Sequence, residues 1–298
     1  MFNMIKIKKA VSASITLAAL INLGCSEDSH KVQQSSLSQT TFKITGSANA
    51  PTVAMNPIEK IFHSLIPRAV ASNPSNLTSK DGESISLTSL WIVIKEIEFK
   101  SKEHSEEEDD SELEEESSFK GPYVADLLAA TPAALDTQSI PSKTYRRIKI
   151  KYEKCDHSTL LAKNPNAPSD LVNNSIYLAG TCGNSCNFSF KMDDGVELQI
   201  AGPYGINAQS DQDLLVNIQL ANVIKQINFS DLTFATDKNI SHTNRVTKTS
   251  NSDLCPTIDP SANDYYTCLK KGLEQESHFA KDDNRNGEID DDEESVKQ

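Results

Sequence analysis

The sequence predicts a mainly β protein whose body is an antiparallel β-sandwich, and three observations carry that expectation. Several short segments between residues 84 and 234 alternate apolar and polar side chains with a period of two, the pattern of strands with one buried face. Turn-forming clusters separate them, as expected of two packed antiparallel sheets. Helical periodicity is confined to a short run near the N-terminus, with a small helix expected near the C-terminus. With 298 residues the chain is long enough for one large or two smaller domains. Its net charge of −13 argues against nucleic acid as a partner, because such binding needs clustered Lys and Arg to displace counterions.

Residues 1–24 read as an export signal. Lys6, Lys8 and Lys9 supply a positive start, Ala10 to Leu23 is uncharged and apolar, and Gly24 puts a small residue before Cys25. That apolar stretch is about fourteen residues, short of the roughly twenty needed to span a bilayer. The segment resembles the lipobox of bacterial lipoproteins, with Asn22 where that motif usually has Leu. The resemblance implies acylation of Cys25 and membrane attachment through the N-terminal lipid. An ordinary secretory signal followed by a free Cys is the alternative. Ser26 follows the cysteine in place of the Asp that marks inner-membrane retention in some lipoproteins, which favours the outer membrane. Residues 25–40 are polar and rich in Ser and Gln, the composition of a flexible tether.

The sandwich is expected over residues 41–235. Thr41 to Ile44 reads as its first short strand. Asn56, Pro57 and Glu59 form helix-start signals, and Ile58, Ile61, Phe62, Leu65 and Ile66 share one face before Pro67 ends the run. That face suits a lid packed on a sheet, with a membrane surface as the alternative. Leu90 to Phe99 is apolar on both faces at first and then alternates, which predicts burial on two sides at one end and on one side at the other. Tyr145 to Tyr152 alternates cleanly. Phe188 to Met192 and Val196 to Ile200 alternate about Asp193-Asp194-Gly195 and predict a hairpin, in whose turn the paired carboxylates are accounted for. Leu214 to Leu220 and Ile227 to Phe234 read as further strands. The acidic loop at 102–118 contains ten acids between Glu103 and Glu116 and reads as solvated, since such a run repels itself. Residues 236–253 read as a linker and 254–298 as a C-terminal segment.

Leu90-Trp-Ile-Val-Ile-Lys-Glu-Ile-Glu-Phe99, Val124-Ala-Asp-Leu-Leu128, Ile140-Pro-Ser-Lys-Thr-Tyr-Arg-Arg-Ile-Lys-Ile150 and Leu214-Leu-Val-Asn-Ile-Gln-Leu220 follow one another in an order that resembles a family of bacterial lipoproteins, the domain of unknown function forty-three eighty-two. The family often has Gly before the tyrosine, where this chain has Thr144. The resemblance covers about half the chain. It implies a transthyretin- or prealbumin-like sandwich and brings no catalytic residues with it.

Export makes disulfides the default for Cys155, Cys182, Cys186, Cys255 and Cys268. Five cysteines predict two bridges and one free thiol. Cys255 with Cys268 is the first expected pair, and Cys155 with Cys182 or Cys186 the second. The spacing from Cys182 to Cys186 also fits a metal or redox site, but no His cluster accompanies it.

One segment has a chemical address. Asp282 to Glu293 matches a twelve-residue calcium loop. Asp282, Asn284 and Asn286 offer oxygens at positions 1, 3 and 5, and Gly287 permits the turn. Glu288 supplies a carbonyl, Ile289 an apolar anchor, Asp290 stands at position 9, and Glu293 closes the site with two oxygens. The flanks depart from an EF-hand: Glu274, Ser277, His278 and Lys281 stand where its entering helix is apolar. Extracellular calcium modules work at roughly 0.1 to 1 mM, so weak binding suffices. Calcium is thus the one expected cofactor.

Catalytic motifs are missing. No two of the six His residues stand at i, i+3 or i+4, and neither a Gly-x-Ser-x-Gly elbow nor a phosphate-binding Gly-Lys-Ser/Thr loop occurs. Asp156, His157 and Ser158 are adjacent, which rules out triad geometry and leaves a solvated loop. The expectation is a non-enzymatic envelope lipoprotein whose sandwich binds a protein or carbohydrate partner. A structural or adhesive protein stiffened by calcium is the alternative, and a hydrolase with an unrecognised site the third.

Overall fold

Residues 37–48, 75–101, 117–183, 186–195, 197–208, 212–249, 253–283, 285, 289 and 295–296 are described by a computed structural model. The signal, Cys25, the helix expected at 56–66 and the acidic run Glu103–Glu116 lie outside them. The described strands are β1 (Leu37–Ser47), β2 (Ser75–Thr78), β3 (Ser84–Lys100), β4 (Ser117–Asp126), β5 (Ala133–Pro141), β6 (Thr144–Tyr152), β7 (Ile176–Cys182), β8 (Cys186–Met192), β9 (Glu197–Asn207), β10 (Gln212–Gln219), β11 (Asn239–Ser241) and β12 (Ser277–Asp282). The helices are α1 (His157–Lys163), α2 (Leu220–Lys225), α3 (Ser230–Phe234) and α4 (Tyr265–Gln275).

Two sheets face each other. The smaller has the order β12-β10-β1-β5, and the larger is organised around β3. β3 is long because it serves two sets of neighbours. Residues 85–92 pair with β7 and residues 94–100 with β6, while β4 runs along the opposite flank. The handover falls at Val93, which donates to Ser175 O (2.8 Å) and accepts from Glu153 N (3.2 Å). N–H and C=O of one strand residue point the same way, so β6 and β7 share a flank and the sheet forks there.

The fork explains the apolar run in β3. Leu90, Ile92 and Ile94 enter the main core, whereas Trp91 and Val93 pack on the opposite face with Leu160 of α1, Ala167 and Leu171. Beyond the fork the outer face is open, and Glu96 and Glu98 pair there with Lys151 of β6. The expected change from two-sided to one-sided burial is what the strand does.

An aromatic cluster joins the sheets. Phe99 lies 5.4 Å from Phe119, 5.6 Å from Tyr145, 5.8 Å from Phe42 and 5.9 Å from Phe279, measured between ring centroids. Phe42 and Phe279 belong to the four-stranded sheet and the other three to the larger one. Edge-on pairs at these distances add to the burial of the rings themselves.

Several expectations are corrected. Phe188–Met192 and Val196–Ile200 do not form a hairpin: β8 pairs with β7 and β11, and β9 pairs with β6. Asp193-Asp194-Gly195 instead carries the chain across the fork, pinned by Ser175 Oγ donating to Met192 O and Asp194 O (both 2.9 Å). The true hairpin is β7–β8. Of Ile227–Phe234, expected as a strand, residues 230–234 form α3. Phe229 and Leu232 take the i and i+3 positions toward the core. β1 starts at Leu37, inside the expected tether. It pairs parallel with β10, as β11 does with β8, so two pairings depart from the antiparallel pattern. The expected linker at 236–253 contributes β11 to the larger sheet.

The C-terminal segment is built into the body. Asp264 caps α4 by accepting from Thr267 N (2.8 Å). The Cys255–Cys268 disulfide ties the helix to the preceding loop. Gly272 allows α4 to approach α2, because a Cβ there would stand 2.9 Å from Val223.

Candidate cation site at the end of the edge strand

Strand β12 is the edge of the smaller sheet and leads directly into the predicted calcium loop. Its register with β10 puts Asp282 opposite Asp213. The chain then leaves the sheet and returns: Ala280 bridges Ser295, Val296 N donates to Phe279 O (3.2 Å), and the Val296 side chain is buried. The two ends of the Asp282–Glu293 segment are therefore held together at a fixed neck. In an EF-hand two helices do that work. Here a strand enters, which explains why Lys281, His278, Ser277 and Glu274 lack the helical apolar stripe: β12 alternates with period two.

Asp282, expected at position 1 of the loop, is almost fully buried and its carboxylate lies 3.6 Å from Lys43 Nζ of β1. Lys43 also meets Asp213 at 2.5 Å, and Arg285 Nε stands 3.7 Å from the same Asp213 oxygen. Lys281 pairs with Asp283 at 2.8 Å. Two strand-borne carboxylates and three cations, Lys43, Arg285 and Lys281, thus surround the start of the loop. Asn284, Asn286, Glu288, Asp290 and Glu293 lie outside the described residues. Asp213 and Lys43 were not legible as site residues, because only the parallel pairing of β1 with β10 brings them there.

The cysteines resolve differently from the expected second pair. Cys182 and Cys186 bridge each other across the β7–β8 turn, and Cys255 bridges Cys268 as expected. Cys155 pairs with neither and is the free thiol among the described residues. Burial pushes that thiol up, and the neighbouring Asp156 charge adds to the effect.

Asp156, His157 and Ser158 form a helix start, not a solvated loop. Asp156 caps α1 by accepting from Thr159 N (2.8 Å) and Ser158 Oγ (2.6 Å). The Ser158 hydroxyl and the Thr159 amide hold its carboxyl down at about 2. Inside the sandwich, the cavity at the fork between Leu90, Ile92, Ile176, Met192 and Leu198 is about 10 Å³, room for a single water. Glu274 borders it, and burial pushes its carboxyl up.

The family described as "Domain of unknown function (DUF4382)" matches residues 76–234. No curated protein matches the chain, and no solved structure does.

Proposed function

This chain belongs to the DUF4382 family, and from that premise we propose that it is a non-enzymatic cell-envelope lipoprotein with a calcium-binding C-terminal loop. In this reading Cys25 carries the lipid anchor in the outer membrane, and the sandwich presents a surface to a protein or carbohydrate partner. The observation that carries the calcium reading is the closed neck at Ala280 and Ser295. It supports a pre-organised loop with Asp282 at position 1, Asn284 and Asn286 behind it, the Glu288 carbonyl and Asp290 further on, and Glu293 closing the site. A loop whose ends are already together loses less freedom when it wraps an ion.

Calcium titration by calorimetry on the full chain and on Glu293→Gln tests the site. Binding at about millimolar calcium or tighter, lost in the variant, is the expected result. No heat from the unsubstituted chain overturns it. A lipid mass on Cys25 in the native protein tests the anchor.

A second reading has its own support. Among the described residues β12 is the outermost named strand of the smaller sheet, beside β10, and only the Ser295–Val296 segment meets its other side, so an ion at its end would stiffen that edge. The protein would then be structural or adhesive, with calcium acting only on the C-terminal segment. A glycan and matrix-protein array separates the two, since a spacer binds nothing on it.

A further inference from the structure

Outside the C-terminal loop, the structure gathers an imidazole and two carboxylates at one point. Asp193, Asp194 and His242 each offer a ligand atom, and those atoms lie within 4.8 Å of one another. We propose that these three residues form a zinc site, distinct from the calcium loop in position and in ion.

The register of the larger sheet brings them together. β11 runs parallel to β8, with Ser241 opposite Lys191. Both strands end at the same level, so the residues just beyond them, His242 on one and Asp193 and Asp194 on the other, emerge side by side. The hairpin turn that would have accounted for the two carboxylates does not exist, because β8 and β9 pair with different neighbours.

Neighbouring groups fix the ligands. Tyr266 of α4 donates from Oη to Asp194 Oδ2 (2.7 Å), and its ring packs edge-on against His242 with centroids 5.8 Å apart. One tyrosine therefore orients both a carboxylate and the imidazole, the role that outer-shell partners play around bound metals. The Arg245 guanidinium stands 5.0 Å over the same ring. Lys270 Nζ, part-exposed, stands 3.4 Å from the same Asp194 oxygen, a counter-charge that a bound ion would displace. Tyr266 and Lys270 account for Asp194. They do not account for a second carboxylate and an imidazole at the same point.

Donor chemistry selects the ion. Calcium wants six to eight oxygens, whereas nitrogen with carboxylate oxygens suits zinc. Zinc ligands stand about 2.0 to 2.2 Å from the ion in a tetrahedral set, so any two donors are about 3.3 to 3.6 Å apart. The three donor atoms lie within 4.8 Å of one another, and side-chain rotation of the exposed Asp193 and His242 would bring them to that spacing.

Zinc chloride titrated into the full chain carrying Cys155→Ser, which removes the free thiol of the described residues, tests the site by calorimetry. One zinc per chain is expected, weakened at least about tenfold by His242→Ala and by Asp193→Asn, which are exposed substitutions that leave circular dichroism unchanged. Glu293→Gln leaves zinc binding unaffected, so failure of the calcium loop and failure of this site read out separately. Cobalt gives a visible absorption band in the unsubstituted site that His242→Ala abolishes. No zinc binding, or zinc binding indifferent to both substitutions, overturns the proposal.

Discussion

Replacing Phe99 by alanine removes the ring on which the two sheets meet. The side chain is fully buried, and four aromatic rings stand within 6 Å of it. Deleting a buried Phe costs about 3–5 kcal/mol through lost transfer energy and the cavity left behind. Edge-on ring pairs contribute about 0.5–1.5 kcal/mol each beyond burial, and with three of them and a fourth, tilted ring against Phe99 the loss falls at the upper end, about 4–5 kcal/mol. That is a large part of the about 5–15 kcal/mol that holds an ordinary domain folded. Phe99→Leu keeps most of the apolar burial and loses the ring geometry, so about 1–2 kcal/mol is expected. Urea unfolding followed by fluorescence and circular dichroism measures both, with a lowered midpoint and an unchanged slope. Phe234→Ala is the control: that ring is 82% exposed, and its loss should stay within about 0.5 kcal/mol. A cost below about 1 kcal/mol for Phe99→Ala would refute the claim that this cluster joins the sheets.

Three further outcomes follow from particular contacts. Lys43→Met removes the ammonium that sits against Asp213 and Asp282; calcium affinity should rise about threefold to tenfold while the calcium-free protein loses stability, both read by calorimetry. Asp81 accepts from Phe229 N (3.1 Å) and Ser230 N (2.6 Å) at the start of α3, so Asp81→Ala should cost about 1 kcal/mol in urea unfolding, as loss of a helix cap does. Burial works to raise the Asp81 carboxyl, but hydrogen bonds from Ser79, Ser230 and Phe229 outweigh it and hold it below its ordinary value. A depressed carboxyl stabilises the fold above its unfolded value and loses that contribution as pH falls through the folded one. The gap between the unsubstituted chain and Asp81→Ala should therefore be full at neutral pH and vanish in acid. Cys255→Ser with Cys268→Ser opens a link spanning 13 residues, worth about 3 kcal/mol by chain entropy; differential scanning calorimetry should show the lowered melting temperature.

Local pattern was legible where one residue's environment repeats along the chain. The alternation in β6 and β10, and the two-faced then one-faced burial of β3, were readable because each reflects a strand's own faces. Partner choice was not readable. Asp193-Asp194-Gly195 signals a bend, but a bend does not say whether the strands on either side pair, and here the fork sends them to different neighbours. Cys155 was paired wrongly for a related reason: α1 carries the chain away from it across the outer face of the sheet. The loop that begins at Asp282 is visible in the sequence through its spacing, whereas Asp213, Lys43 and His242 reach their places only through pairings between strands distant in sequence.

The position of β1 bears on how the chain can fold at all. Made early, it faces Thr137 of β5 and Asp213 of β10 across Thr41, partners that lie roughly a hundred and more residues downstream. A chain emerging N-terminus first holds Phe42 and Ile44 without a sheet to bury them until β5 and then β10 appear. Such non-local closure is intrinsically slow, and the exposed strand is a template for wrong pairing while it waits. The four-stranded sheet cannot close before β10 is present, and a chain ending before residue 277 would lack β12 on the outer side of β10.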